Sequence, residues 1–249
     1  MWYKKQHPDE EPTRLYMGVE LEVDRPRNGQ TKISTYDLED IIWEFCEDDE
    51  VKMWGDATLL RGLEIVSHPC TLRYHHELFP WREIVRVCLE GGYRSHQTNT
   101  CGLHIHVSWD AANCKTKLKI AWFICSQQDH MEQLARRSEN MWSMYKKDVD
   151  GPEDKQAMDD YDRYQAVNWT NSDSTFEFRL WRGTLRYESL MGAIDLTHAI
   201  IKYCEITSPQ DLLVETQAWD GFVQFVYDNK EMYPFGWDYL IYRGFGEEA

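Results

Sequence analysis

Four short stretches of this 249-residue chain carry ionisable side chains at alternate positions. In MGVELEV, Met17 to Val23, Glu20 and Glu22 alternate with Val19, Leu21 and Val23. In LHIHV, His104 and His106 alternate with Leu103, Ile105 and Val107, and in LEIV, Glu64 sits between Leu63 and Ile65. In FEFRLW, Glu177, Arg179 and Trp181 alternate with Phe176, Phe178 and Leu180. Successive side chains of a strand point to opposite faces, so each stretch predicts one greasy face and one ionisable face. Glu20 and Glu22 would stand about 6.6 Å apart. They would repel by roughly 2.5 kcal/mol at an effective dielectric of about 20. A single such strand describes a half-exposed edge; four that agree describe a site. A merely solvated face would more often carry Thr, Ser, Lys or Gln.

Glu20, Glu22, Glu64, His104 and Glu177 on one sheet face form a ligand set for a hard divalent cation, Mg²⁺ or Mn²⁺. Converging carboxylates repel unless ions neutralise them. Arg179, Arg182 and Arg186 add local basicity, and guanidinium forks suit phosphate oxygens. Metal-bridging acids beside arginines point to phosphoryl transfer. Arg186 serves equally as the start of the following helix. His106 fits a place behind His104, orienting it or contacting phosphate. His68, His75, His76 and His96 read as surface or loop histidines. Cys101 beside His104 lacks the second cysteine that a zinc site needs.

Elements that position these residues follow from the intervening pattern. STYDLEDIIWEFCEDDE predicts an amphipathic helix capped by Ser34 or Thr35. Leu72 to Leu89 predicts a helix interrupted at Pro80 and stopped by Gly91-Gly92. Lys117 to Met144 predicts a long helical region, Tyr187 to Ile206 a helix, and Gln210 to Tyr227 another, followed by an aromatic tail. The polar segment Asp148 to Asp162 reads as a lid over the site or as an idle surface loop. With no repeat and no linker, residues 1–249 read as one α+β domain, a largely antiparallel sheet with helices packed on one face.

The bulk numbers limit the function. The net charge is −16, from 43 acidic and 27 basic residues. That excludes a general nucleic-acid surface, which needs clustered cations. No apolar run approaches a membrane span, and the first residues lack the apolar stretch of a signal peptide. Seven cysteines, an odd number without CxxC spacing, fit a reducing cytoplasm. The Asn168-Trp169-Thr170 sequon is out of place there.

GVELEV, GDATLLRGLEIVSHP, NTCGLHIHVS, RYQAVNW and STFEFRLWRGTL occur in the order of the amidoligase family. The chain resembles that family over about residues 17–205. The resemblance implies a glutamine synthetase-like catalytic sheet and ATP-dependent joining of a carboxylate to an amine through an acyl-phosphate, with two or three Mg²⁺ ions in the cleft. It implies that Glu20 and Glu22 ligate different ions and that Asp56, Glu64 and Glu177 are further metal acids. His104, with His106 close by, matches an imidazole ligand or phosphate contact. Arg179 and Arg182, with Glu64, are expected at the reacting centre and at the ATP phosphates. Arg163 and Asn168 match substrate or phosphate contacts. Partners would be small-molecule or peptide carboxylates and amines. Asp56-Ala57-Thr58 departs from the family's Asp-Gly-Ser, which narrows that turn's backbone options. Two other readings stand beside this one. One is a cupin-like oxygenase using His104, His106 and Asp110 on a single transition metal; the other is an inactive binding protein of the same fold.

Overall fold

The computed structural model describes residues 3–26, 29–46, 50–55, 59, 62–96, 98, 101–146, 150–154, 158, 164–172 and 174–246. Asp56 and Arg163, with most of the segment 148–162, lie outside the described residues. Six strands form one antiparallel sheet: β1 (Met17–Val23), β2 (Val51–Trp54), β3 (Leu63–Ser67), β4 (Leu103–Ser108), β5 (Val167–Ser172) and β6 (Thr175–Phe178). Their spatial order is β2-β3-β1-β4-β6-β5.

The alternation holds strand by strand. Val19, Leu21, Val23, Ile65, Leu103, Ile105, Val107, Phe176 and Phe178 are all fully buried, and they share one apolar cluster with helix residues such as Ile84, Ile120 and Ile194. The helices therefore lie against the greasy face, and the ionisable face is left on the other side. Around the described chain these helices are α1 (Thr35–Trp43), α2 (Leu72–Glu77), α3 (Trp81–Glu90), α4 (Cys114–Ser126), α5 (Gln128–Ala135), α6 (Tyr187–Ile206), α7 (Pro209–Leu212), α8 (Glu215–Asp228) and α9 (Pro234–Tyr242). Ser34 caps α1 through a reciprocal box with Asp37. The break between α2 and α3 falls at Pro80, which removes a helical N–H.

Five expectations change. The helix expected from Gln210 to Tyr227 is two, α7 and α8, separated at Leu213 and Val214. The helical region from Lys117 is two helices, and the second ends at Ala135 because Arg136 turns left-handed at φ 57°. Residues from Ser138 to Met144 are therefore not helical. The aromatic tail contains α9, whose Pro-Phe-Gly start resembles a turn in sequence; packing on α6 makes it a helix. Gly192 of α6 permits that contact, since a Cβ there would stand 2.7 Å from Tyr239 Cβ. Trp181 is not on the ionisable face. β6 ends at Phe178, so Leu180 and Trp181 are both buried, and the Trp181 indole donates to Thr197 Oγ1 at 2.9 Å. His75 and His68 are not surface residues: both are fully buried.

No described helix is long and apolar enough to cross a membrane. The seven cysteines are free thiols.

Candidate active site

Antiparallel register decides which ionisable residues meet. Glu20 stands opposite His104, His106 opposite Glu177, and Glu177 opposite Asn168. Three strands thus bring Glu20, His104 and Glu177 together, with one ligand atom from each lying within 4.8 Å of the others. His104 Nδ1 is 3.3 Å from Glu20 Oε2 and 3.4 Å from Glu177 Oε1. His106 Nε2 is 2.9 Å from Glu20 Oε1 and 4.0 Å from Glu177 Oε1. Arg179 Nη1 donates to Glu177 Oε1 at 2.6 Å, and Asn168 Nδ2 donates to Glu177 Oε2 at 2.9 Å.

Electrostatics at the centre are self-compensating. Burial pushes the Glu20 carboxyl up, but His106 and then His104 outweigh it and hold that group well below the usual carboxylate range. Burial pulls His106 down, yet Glu20 and then Glu177 raise it overall. Glu20 thus lies against two imidazoles, and Glu177 against a guanidinium and an amide. Two carboxylates and an imidazole fit a divalent cation: the oxygens suit Mg²⁺ or Mn²⁺, and the nitrogen favours Mn²⁺.

Glu22 occupies the next lane of the same face. It is opposite Glu64 in register, and its carboxylate accepts the Gly102 N–H. Glu22 and Glu64 are thus on the expected face but outside the group of three. Gly102 has a second task, because a Cβ at that position would stand 2.6 Å from His104 Nε2. Only glycine lets that imidazole lie against the chain. Arg182 donates to the His96 carbonyl, and no described contact joins it to the three ligands.

Arg137 was not found by strand alternation. Its Nη1 donates to the carbonyls of Arg179 at 2.9 Å and Trp181 at 3.3 Å, tying the loop after α5 to the segment that carries Arg179. Burial, and then Arg179, pull its guanidinium below the usual range, while Glu22 opposes them. Lying outside any periodic element, it leaves no signal in a pattern. Trp142 and Tyr164 complete this wall: the Trp142 carbonyl accepts from Arg179 Nε at 3.4 Å, and the two rings meet edge to face at 4.9 Å.

A sequence-family profile described as "Putative amidoligase enzyme" matches residues 20–151, more than half of the chain, and includes Glu20, Glu22, Glu64, His104 and His106. The chain belongs to the amidoligase family. Glu177 and Arg179 lie beyond the matched stretch; β6 pairs Glu177 onto the same face, and Arg179, one residue past the end of β6, bonds to Glu177. No curated protein matches the sequence. Among solved structures, one similar chain is in the crystal structure of the complex between prokaryotic ubiquitin-like protein Pup and its ligase PafA, with 10% identity and a TM-score of 0.42. The match covers 77% of this chain and 47% of that one, so this amidoligase spans about half the length of that relative.

Proposed function

We propose that this amidoligase is an ATP-dependent carboxylate–amine ligase that works through an acyl-phosphate on a glutamine synthetase-like sheet. One observation carries the reading. Glu20, His104 and Glu177, from three different strands, converge within 4.8 Å with Arg179 bonded to one of them. Ionisable groups packed this closely on one sheet face suit a site that binds charge.

Glu20, His104 and Glu177 would hold Mg²⁺ or Mn²⁺, with Glu22, Glu64 and Asp56 as acids for further ions. Such ions supply charge neutralisation for phosphate oxygens. The chain's own groups do the rest. Asn168 fixes one oxygen of Glu177 and leaves the other to Arg179 and the ligand atoms. Arg179, held by Glu177 and the Trp142 carbonyl, presents its fork to phosphoryl oxygens as charge develops there. Arg137 holds the backbone on both sides of Leu180, so Arg179 keeps its aim. A substrate carboxylate oxygen attacks the γ-phosphorus and the bond to ADP breaks. An amine then attacks the acyl carbon, phosphate leaves, and the amine's proton passes to water or a nearby acid. Arg182 is a second anion contact in this scheme, and Arg163 and Asn168 are substrate contacts. Substrates are small-molecule or peptide carboxylates and amines, and free thiols suit a cytoplasmic setting.

The open six-stranded sheet with helices on one face gives no support to the cupin alternative, which needs a double-sheet roll. Asp110, its third ligand, is paired instead with Lys4 at 3.6 Å. The test is ADP release with Mg²⁺ and a panel of carboxylates and amines. Release that needs both substrates and is lost in Glu177→Gln supports the ligase. Binding of iron in one-to-one ratio, without ADP release, overturns it.

A further inference from the structure

Where the segment after β6 meets the loop after α5 and the start of α6, the chain forms a small cavity. His96, Arg136, Arg182, Thr184, Ser189 and Tyr239 help to line it. Its volume is about 10 Å³, room for one water-sized group. The Arg182 backbone N–H donates to the Ala135 carbonyl at 3.2 Å, which sets Arg136 and Arg182 side by side. Arg182 is exposed, and its guanidinium is tied to the cavity wall by its bond to the His96 carbonyl.

Ser189 is the anomaly. It is only 4% exposed, and its hydroxyl is buried with no hydrogen-bond partner among the described residues. A buried polar atom left unpaired is costly, and folded chains keep few of them. Ser189 lies in the first turn of α6, a 20-residue helix whose N-cap, Arg186, makes no side-chain cap. The helix therefore brings an uncapped positive end to the same cavity. Arg136 is the second anomaly. Among the described residues it is the one non-glycine residue at positive φ, at a helix end where glycine or asparagine is the usual choice. Its guanidinium has no hydrogen bond and no ion pair among the described residues. Burial, and then Arg136, Arg182 and Arg94, hold the His96 imidazole below its ordinary range, so that ring stays neutral. Among the described residues no carboxylate pairs with any of these three arginines, in a chain of net charge −16. Guanidiniums gathered without an opposing charge repel one another unless an anion joins them.

We propose that this cavity binds one chloride ion, held by the Ser189 hydroxyl, the first turn of α6 and the guanidiniums of Arg136 and Arg182. Charge decides for an anion over water, since a neutral water leaves the guanidiniums unbalanced. Volume decides for a monatomic anion, since phosphate and carboxylates are too large for the space. Only Arg182 is shared with the proposed ligase scheme. No described contact joins Ser189 or Arg136 to Glu20, His104 or Glu177, so the site stands or falls on binding and melting, whatever the turnover.

The full chain is melted in the chloride, bromide and gluconate salts of one cation at equal ionic strength. Chloride at about 0.2 M should raise the melting temperature by about 3 °C over gluconate, because an ion bound only by the folded state stabilises it. Bromide should substitute for chloride; gluconate is too large to enter. Chloride NMR lines should broaden in the presence of the chain and sharpen again when bromide is added. Ser189→Ala should lose most of the chloride-dependent rise. Arg136→Asn should lose all of it while melting no lower than the wild type in gluconate, because asparagine accepts the left-handed backbone. This second variant keeps the proposal testable if Ser189→Ala misfolds. Equal melting in chloride and gluconate would mean that the cavity holds water alone, and would overturn the site. So would a chloride-dependent rise that both variants keep, or an Arg136→Asn chain weakened alike in every salt with chloride broadening unchanged.

Discussion

Two groups of histidines, buried or half-buried, face opposite surroundings. On the sheet, His104 and His106 meet the carboxylates of Glu20 and Glu177, and His106 is pushed up by those charges. In the helix layer, His75 sits between the Met17 carbonyl at 2.9 Å and the Trp81 indole N–H at 3.1 Å. His198 meets the Tyr233 hydroxyl at 3.0 Å. Burial drives His75 down to about 4 and His198 down to about 3, so both are neutral braces. The residue type is the same; the partner decides its work. An imidazole among carboxylates can give up its proton to a metal, whereas one between a carbonyl and an indole can only hold two elements together.

Breaking the sheet group should give the largest effect. Glu177→Gln keeps the shape but removes one of the two converging charges, and it should lower ATP turnover by about 10³-fold with the fold retained. Parallel turnover and melting measurements check both halves. His75→Ala should do the reverse. It leaves a cavity and two unsatisfied backbone or indole groups, costing about 3 kcal/mol of stability by denaturant unfolding. Turnover per folded molecule should stay as in the wild type. If His75→Ala instead abolished turnover without loss of stability, the division between the two groups would fail.

Smaller effects sharpen the contrast. Asn168→Ala frees one oxygen of Glu177 without removing it, and should cost about 10–100-fold in metal affinity or turnover. The pH dependence of stability should also separate the groups. His75 and His198 are depressed when folded, so between their ordinary value of 6.5 and about 4 the unfolded chain takes up protons that the folded chain refuses. Stability therefore falls as pH falls through that window, by about 1.4 kcal/mol per pH unit per imidazole. His106, raised when folded, contributes in the other sense: its share is present below 6.5 and is lost as pH rises through the folded value. Unfolding of His75→Ala should be less sensitive to acid than that of the wild type.

Alternation made Glu20, His104, His106 and Glu177 legible from sequence, because a strand's two-residue period needs no knowledge of its partners. Arg179, by contrast, falls one residue past the end of β6 and reaches Glu177 from there. Register was not legible. Which of Glu20 and Glu22 would face His104 depends on pairing between strands about 80 residues apart, and Glu22 turned out to hold Gly102. Trp181 was misplaced because the period was carried past the end of β6. His75 was misread because α2 and its packing, not its own neighbours in sequence, bury it. Arg137 lies in an aperiodic segment that follows the left-handed turn at Arg136, so no pattern marks it.

In the proposed function, Glu20, His104 and Glu177 together bind a divalent cation. Calorimetric titration of the purified full chain with Mn²⁺, at a pH where His106 can release its proton, tests it most directly. The account predicts saturable binding with proton release, and its loss in Glu177→Gln under the same conditions. Binding unchanged by that substitution, or no binding to the wild-type chain, would contradict it.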